Sequence, residues 1–315
     1  MGIFDGVLLA SDFDNTLLNT EVPRRTGAPV PRLSAGNRAA LEYFMAQGGR
    51  FALATGRALA AIEKLVDDIP TNSPAVICNG AAMYDFQARE YLDIIMLDEV
   101  VSQRCQEVLE RFPTTAVEAY PLENVIHAVR PNLYTRQHEH VTHVAVHEDV
   151  SIMDIPRPMT KLMFEDCHET LLDIRAFLLS QPWIGGYEVF FSDQTLLEMT
   201  ARGANKGGMV ARLAQRLGIE SSHVYCVGDE ANDLSMLAIA AEGFAPANCV
   251  EAVRQSGATV VADCATTPWR TWWPGWSKST AEVAEILARI QNGKRLRRNL
   301  PPGAFFAAKI FGPPP

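Results

Sequence analysis

Two carboxylates close the first apolar run of the chain: residues 7–10 lead into Ser11-Asp12-Phe13-Asp14-Asn15-Thr16. A carboxylate can attack phosphorus, and passing through an aspartyl-phosphate divides one hard displacement into two easier ones. A second acid can protonate the leaving oxygen and later take a proton from water. Side-chain alternation in a continuing strand would put Asp12 and Asp14 on one side. A strand ending in an acidic turn or helix cap accounts for the same residues without chemistry.

Three further segments carry matching chemistry. Thr55-Gly56-Arg57 follows apolar residues 51–54, and a hydroxyl with backbone N–H groups at a helix start forms a phosphate cradle. Thr-Gly is also an ordinary turn. Lys206, in Asn205-Lys206-Gly207-Gly208, stands where a helix should begin and could neutralise a phosphoryl group. A solvated surface lysine reads the same. In Gly228-Asp229-Glu230-Ala231-Asn232-Asp233 an apolar strand again ends in clustered acids, the hard oxygen donors that Mg²⁺ prefers. Acids at a helix N-terminus also suit the helix dipole.

The elements that must position these residues alternate. Strands are expected at 7–11, 51–54 and 74–78, with helices at 33–47, stopped by Gly48-Gly49, and from 57 to about 69. After residue 198 come a helix at 206–217, a strand at 223–227, a helix at 233–241 and short strands at 243–245 and 259–261. This is the pattern of an α/β fold with a doubly wound parallel sheet, whose strand carboxyl ends gather the ligand. Between the two parts, strands at 91–97, 116–130, 159–164 and 187–191 with helices at 99–112 and 169–180 suggest an α+β module with a mainly antiparallel sheet. The expected organisation is a core from residues 1–83 and 196–290, an inserted module at 84–195, and a basic, Pro-rich tail at 291–315.

The order acid pair, hydroxyl, lysine, acid cluster resembles the haloacid dehalogenase superfamily of phosphatases. Ala54-Thr55-Gly56-Arg57, Ile77-Cys78-Asn79-Gly80-Ala81, Glu198-Met199-Thr200, Asn205-Lys206-Gly207 and Ala245-Pro246-Ala247-Asn248 look most like its Cof-type subfamily, which carries a C2-type α/β cap. The resemblance implies Asp12 as nucleophile and Asp14 as general acid/base. It implies Mg²⁺ held by Asp12, the backbone carbonyl of Asp14 and Asp229. Thr55, Gly56 and Lys206 would grip the phosphoryl oxygens with help from Asn232, while Asp233 would orient Lys206 or a metal-bound water. Arg57, Asn79 and Lys161 are the candidates for substrate contact. Asn15 stands where many members have glycine, and asparagine tolerates the backbone angles such a turn needs.

Composition narrows the partners. The net charge of −9 argues against a nucleic-acid binder, which needs a basic face. No apolar run approaches the roughly 20 residues of a membrane span, and residues 1–6 do not read as a secretory signal. The six scattered cysteines form no Cys-x-x-Cys pair, which suits reduced thiols in the cytoplasm. His138, His140, His143 and His147 read as a polar surface strand or loop, not a metal site. Lys161, inside the apolar run 159–164, either snorkels or faces the substrate. No role is assigned to the Trp-rich stretch 269–276 or to the tail. The function expected is Mg²⁺-dependent hydrolysis of a small phosphorylated metabolite, a sugar phosphate first. A sugar-phosphate mutase and a non-catalytic phospho-ligand sensor are the rivals.

Overall fold

The computed structural model describes residues 2–264. The Trp-rich stretch 269–276 and the tail lie outside the described residues.

The fully buried strand β1 (Leu8–Ser11) is followed by α1 (Glu21–Thr26) and α2 (Ala35–Ala46). Ser34 caps α2 by accepting from the Asn37 N–H, and Leu41 and Phe44 turn inward. Next, β2 (Arg50–Leu53) pairs parallel with β1, Leu53 opposite Ser11. α3 (Leu59–Ile62) is shorter than the helix expected to reach about 69, and a 3-10 turn at Val66–Asp68 follows. Asp67 and Asp68 disfavour a helix C-terminus there, where the dipole is negative. β3 (Ala75–Ile77) touches the end of β2 through an Ala54–Val76 bridge, then folds back antiparallel with β4 (Ala82–Asp85) and β5 (Glu90–Ile94).

The chain then builds a second sheet through α4 (Val101–Arg111), β6 (Ala116–Pro121), β7 (His127–Val129), α5 (Leu133–Thr142), β8 (His147–Asp149), β9 (Met159–Glu165), α6 (His168–Leu179), β10 (Tyr187–Asp193) and β11 (Leu196–Ala201). Its order is β10-β11-β9-β6-β7-β8, antiparallel except between β7 and β8. One face is apolar: Val117, Leu162, Phe164 and Leu197 pack with Val108 of α4 and Ile174 of α6. Strand alternation sends Glu118, Tyr120, Lys161, Met163 and Glu198 to the other face, and all five are buried.

The structure differs from the expectation in three further places. The single strand expected at 116–130 is a pair, β6 and β7, broken by a turn in which Asn124 adopts φ 59°. Of the histidine stretch expected as strand or loop, His138 and His140 lie in helix α5, started by a capping box between Asn132 and Thr135, whereas His143 caps that helix and His147 opens strand β8. The edges drawn at 84 and 195 fall within β4 and between the paired strands β10 and β11. The βα alternation that marks the core resumes only after β11, which pairs in the second sheet, so the edge drawn at 195 comes one strand early.

The chain returns through α7 (Lys206–Arg216), β12 (Val224–Val227), α8 (Leu234–Ile239), β13 (Glu242–Pro246), α9 (Glu251–Arg254) and β14 (Thr259–Val261). The core sheet runs β14-β13-β12-β1-β2, all parallel, with β1 between β12 and β2. Leu9 and Phe51 feed one apolar cluster, while Leu8, Ala10 and Cys226 feed another with Met209 and Leu213 of α7. Both faces of the sheet are covered, as a doubly wound parallel sheet requires. Among the described residues no helix is long and apolar enough to cross a membrane. All six cysteines are free thiols, with Cys167 exposed.

The β3–β4 turn seats the start of α7. Gly80 has φ +91°, and a Cβ there would lie 2.1 Å from the Asn205 carbonyl oxygen. Gly80→Ala is expected to destabilise the protein by about 1–3 kcal/mol from the backbone angle alone. An unchanged Tm in a thermal melt would show that this seat is not tight.

Candidate active site

Because β1 lies between β12 and β2, Asp12 emerges inside the sheet's carboxyl edge, its N–H bonded to the Val227 carbonyl at 2.9 Å. Lys206, the first residue of α7 and 1% exposed, donates from Nζ to Oδ1 of Asp12 and Oδ1 of Asp233, both at 2.6 Å. The other oxygen of Asp233 accepts the N–H groups of Asp229 and Glu230 at 2.9 and 3.0 Å. Asp233 therefore fixes both the lysine and the loop that carries Asp229. Thr16 donates to Oδ1 of Asp229 at 2.6 Å.

These charges are out of balance. Burial pushes Asp12 up to about 7; Lys206 works against that shift, and Asp233 and Asp14 add to it. Burial, with Asp12 and Asp233 nearby, pushes Asp229 well above the usual carboxylate range. Burial opposes charge on Lys206, but the two carboxylates outweigh it and raise its pKa. Carboxylate oxygens of Asp12, Asp229 and Asp233 lie within 4.8 Å of one another, with a single ammonium among them.

On the β2 side, Arg57 holds Asp14 in a two-pronged pair, Nε to Oδ2 and Nη2 to Oδ1, both at 2.8 Å. Its guanidinium lies 5.5 Å from the Phe13 ring centre. The Thr55 hydroxyl accepts the Arg57 N–H at 3.1 Å, and the Thr55 N–H goes to Val76. Two of the donors expected for a phosphate cradle are thus already engaged within the loop. Asn79, at φ 53°, accepts from Asn232 Nδ2 at 2.9 Å. Asn15 takes φ 53° and accepts from the Thr20 N–H.

The second sheet closes the site from above. Lys161 is 3% exposed, so it does not snorkel: Nζ reaches Glu198 at 2.9 Å and the Gly56 carbonyl at 3.2 Å, 4.4 Å from the Tyr120 ring centre. Burial works to raise Glu198, but the Lys161 ammonium, with hydrogen bonds to the carboxylate, holds it below its ordinary value. A cleft of about 820 Å³, part of it open to solvent, separates the two sheets.

Of the residues picked from sequence, Asp12, Asp14, Gly56, Arg57, Lys161, Asp229 and Asn232 line this cleft. Thr55, Asn79, Lys206 and Asp233 are buried and bonded to that wall. Sequence reasoning gave no role to Thr16, Tyr120 or His138, and used Glu198 only as a mark of resemblance. Alternation along 159–164 and 196–201 is the signal that puts Lys161 and Glu198 on one face.

This fold and edge geometry define a class. The haloacid dehalogenase-like hydrolase family matches residues 9–266, and the chain belongs to it, as a phosphatase of the Cof type. It is 27% identical to YxeH of Bacillus subtilis (strain 168), over 79% of this chain and 90% of that protein. It is 25% identical to the pyridoxal phosphate phosphatase YbhA of Escherichia coli (strain K12), over 81% and 93%. Among solved structures, the subclass IIB sugar phosphatase BT4131 superposes with a TM-score of 0.70 at 22% identity, over 82% of this chain and 95% of that one.

Proposed function

We propose that the protein hydrolyses a small phosphorylated metabolite, a sugar phosphate first, through a covalent aspartyl-phosphate on Asp12. One observation carries this reading: a buried lysine grips Asp12 and Asp233 together, and Asp233 in turn fixes the loop of Asp229. A pure binding site has no use for a second acid, Asp14, beside the first. The phosphatase names of the relatives support the substrate class.

The site suits Mg²⁺. Its donors are all oxygen, and the carboxylates that burial pushes up are those a hard cation would hold charged. Asp12, the Asp14 carbonyl and Asp229 would hold it; Asp233 has both oxygens committed and serves to position. When bound, the ion supplies the positive charge that lets an anionic carboxylate meet an anionic phosphate.

One oxygen of Asp12 then forms a bond to phosphorus as the bond to the leaving oxygen breaks, and Asp14 gives that oxygen its proton. Water attacks the aspartyl-phosphate, Asp14 takes the water's proton, and the P–O bond to Asp12 breaks. Lys206 offsets the charge on the phosphoryl oxygens throughout, with Thr55, Gly56 and Asn232 as further contacts. Arg57 must release at least one oxygen of Asp14 for the proton to move. Residues from about 96 to 201 act as the cap over a core formed by the rest of the described chain; closure excludes water and opening releases product.

The test is phosphate release over a panel of phosphorylated metabolites with Mg²⁺, using Asp12→Asn as the blank. Isomer formation without free phosphate would favour a mutase, and no turnover on any substrate would overturn the enzyme reading. Mg²⁺ should also raise the Tm of metal-free protein, since an ion at a hundred times its Kd stabilises by about 2.7 kcal/mol. Asp229→Asn should lose most of that shift. A wild-type Tm indifferent to Mg²⁺ would remove the cation from the scheme.

A further inference from the structure

We propose that His138 reads a neutral, hydroxyl-bearing leaving group from the cap, with Glu118 fixing the ring so that Nε2 hydrogen-bonds a substrate hydroxyl. This rests on the phosphatase reading above and gives the leaving group its chemistry.

His138 sits on α5 and lines the cleft, its side chain 17% exposed. Its Nδ1 lies 3.0 Å from both carboxylate oxygens of Glu118 on β6. Glu118 and Glu165, both fully buried, lie side by side, with Nδ1 of His138 3.8 Å from Oε1 of Glu165. The Tyr120 hydroxyl donates to Glu118 and the Thr135 hydroxyl to Glu165. Burial and the neighbouring Glu118 push Glu165 well above the carboxylate range. Glu118 engages Nδ1 with both of its oxygens, so Nε2 is the ring nitrogen left to meet a ligand.

Two carboxylates buried in a sheet are destabilising unless every partner is in place, and apolar residues of like size would pack there more cheaply. The strand positions one residue away, Val117 and Phe164, are of that apolar kind. A polar cluster ending on a cleft-lining imidazole makes sense if the ring must be held in one orientation for a ligand.

Charge sets the leaving group's class. The cleft-lining Arg57 and Lys161 are already ion-paired, with Asp14 and Glu198. On the cap side Asp193, whose carboxylate accepts from the Thr195 N–H and hydroxyl, also lines the cleft. A second phosphate on the leaving group would meet these acids, whereas a hydroxyl, which can both donate and accept, can hydrogen-bond Nε2.

The experiment compares glucose 6-phosphate, ribose 5-phosphate and glycerol 3-phosphate with p-nitrophenyl phosphate and fructose 1,6-bisphosphate. Wild type should prefer the best neutral-polyol monophosphate to the bisphosphate. In His138→Ala, its kcat/KM relative to p-nitrophenyl phosphate should fall about tenfold, mostly in KM, as expected for one lost hydrogen bond. His138→Gln, whose amide can reach the ε position, should recover part of the ratio, and His138→Asn should not. Glu118→Gln should move the ratio in the same direction. The proposal is overturned if the ratio stays within twofold in the Ala variant, if Asn rescues as well as Gln, or if the bisphosphate is preferred. Turnover with any of those results leaves the phosphatase reading standing. No turnover of any substrate by wild type brings down both.

Discussion

Asp12→Asn is expected to lower kcat by at least about a thousandfold while leaving the fold in place, since losing a covalent nucleophile is among the largest single effects known. The amide keeps the shape of the carboxylate and can still accept from Lys206 through its carbonyl oxygen, and the backbone bond to Val227 is untouched. What it loses is the anion that attacks phosphorus. The stability effect should have the opposite sign. Burial raises the folded-state pKa of Asp12 from 3.8 to about 7. A carboxyl raised in this way binds its proton more tightly when folded, so its contribution is present at low pH and lost as pH rises through about 7. Metal-free wild type should therefore lose stability across that window, and Asp12→Asn should lose less. A thermal melt paired with a phosphate-release assay reads both. Retention of more than a few per cent of activity would end the nucleophile assignment.

The parts of this site that can be read from sequence are those fixed by strand ends. Asp12, Thr55 and Asp229 each follow a short apolar run, and a parallel sheet gathers such positions along one edge. Lys206 was ambiguous, because a lysine at a helix start reads the same whether solvated or buried. Its burial follows from how closely α7 packs: a Cβ on Gly207 would lie 2.2 Å from the Ser235 carbonyl oxygen. The inserted module is legible in sequence as a mainly antiparallel sheet but its strand order is not, because alternation marks faces and not neighbours. The β10–β11 pairing and the Glu118–His138 contact join separate elements that no local pattern connects. Helix α5 was hidden by its polar composition, although Asn132 and Thr135 spell its capping box.

Lys206→Met should damage activity and stability together. One ammonium holds two buried carboxylates, at 2.6 Å each, and an apolar side chain of similar length leaves both facing each other unpaired. Removing one partner of a buried ion pair typically destabilises by about 3–5 kcal/mol. The loss should shrink at low pH, where protonation relieves the repulsion, and shrink with Mg²⁺ present. Turnover should fall about a hundredfold to a thousandfold, as when one preorganised electrostatic contact to the transition state is removed. The double variant Lys206→Met/Asp233→Asn separates the two effects. Removing the second carboxylate's charge should restore part of the stability, a coupling a double-mutant cycle measures directly. It should restore none of the activity, because nothing then offsets the charge where Asp12 meets the phosphoryl group. If the double variant recovered turnover along with its melting temperature, Lys206 would be a structural clamp on Asp12 and not part of the phosphoryl-transfer chemistry.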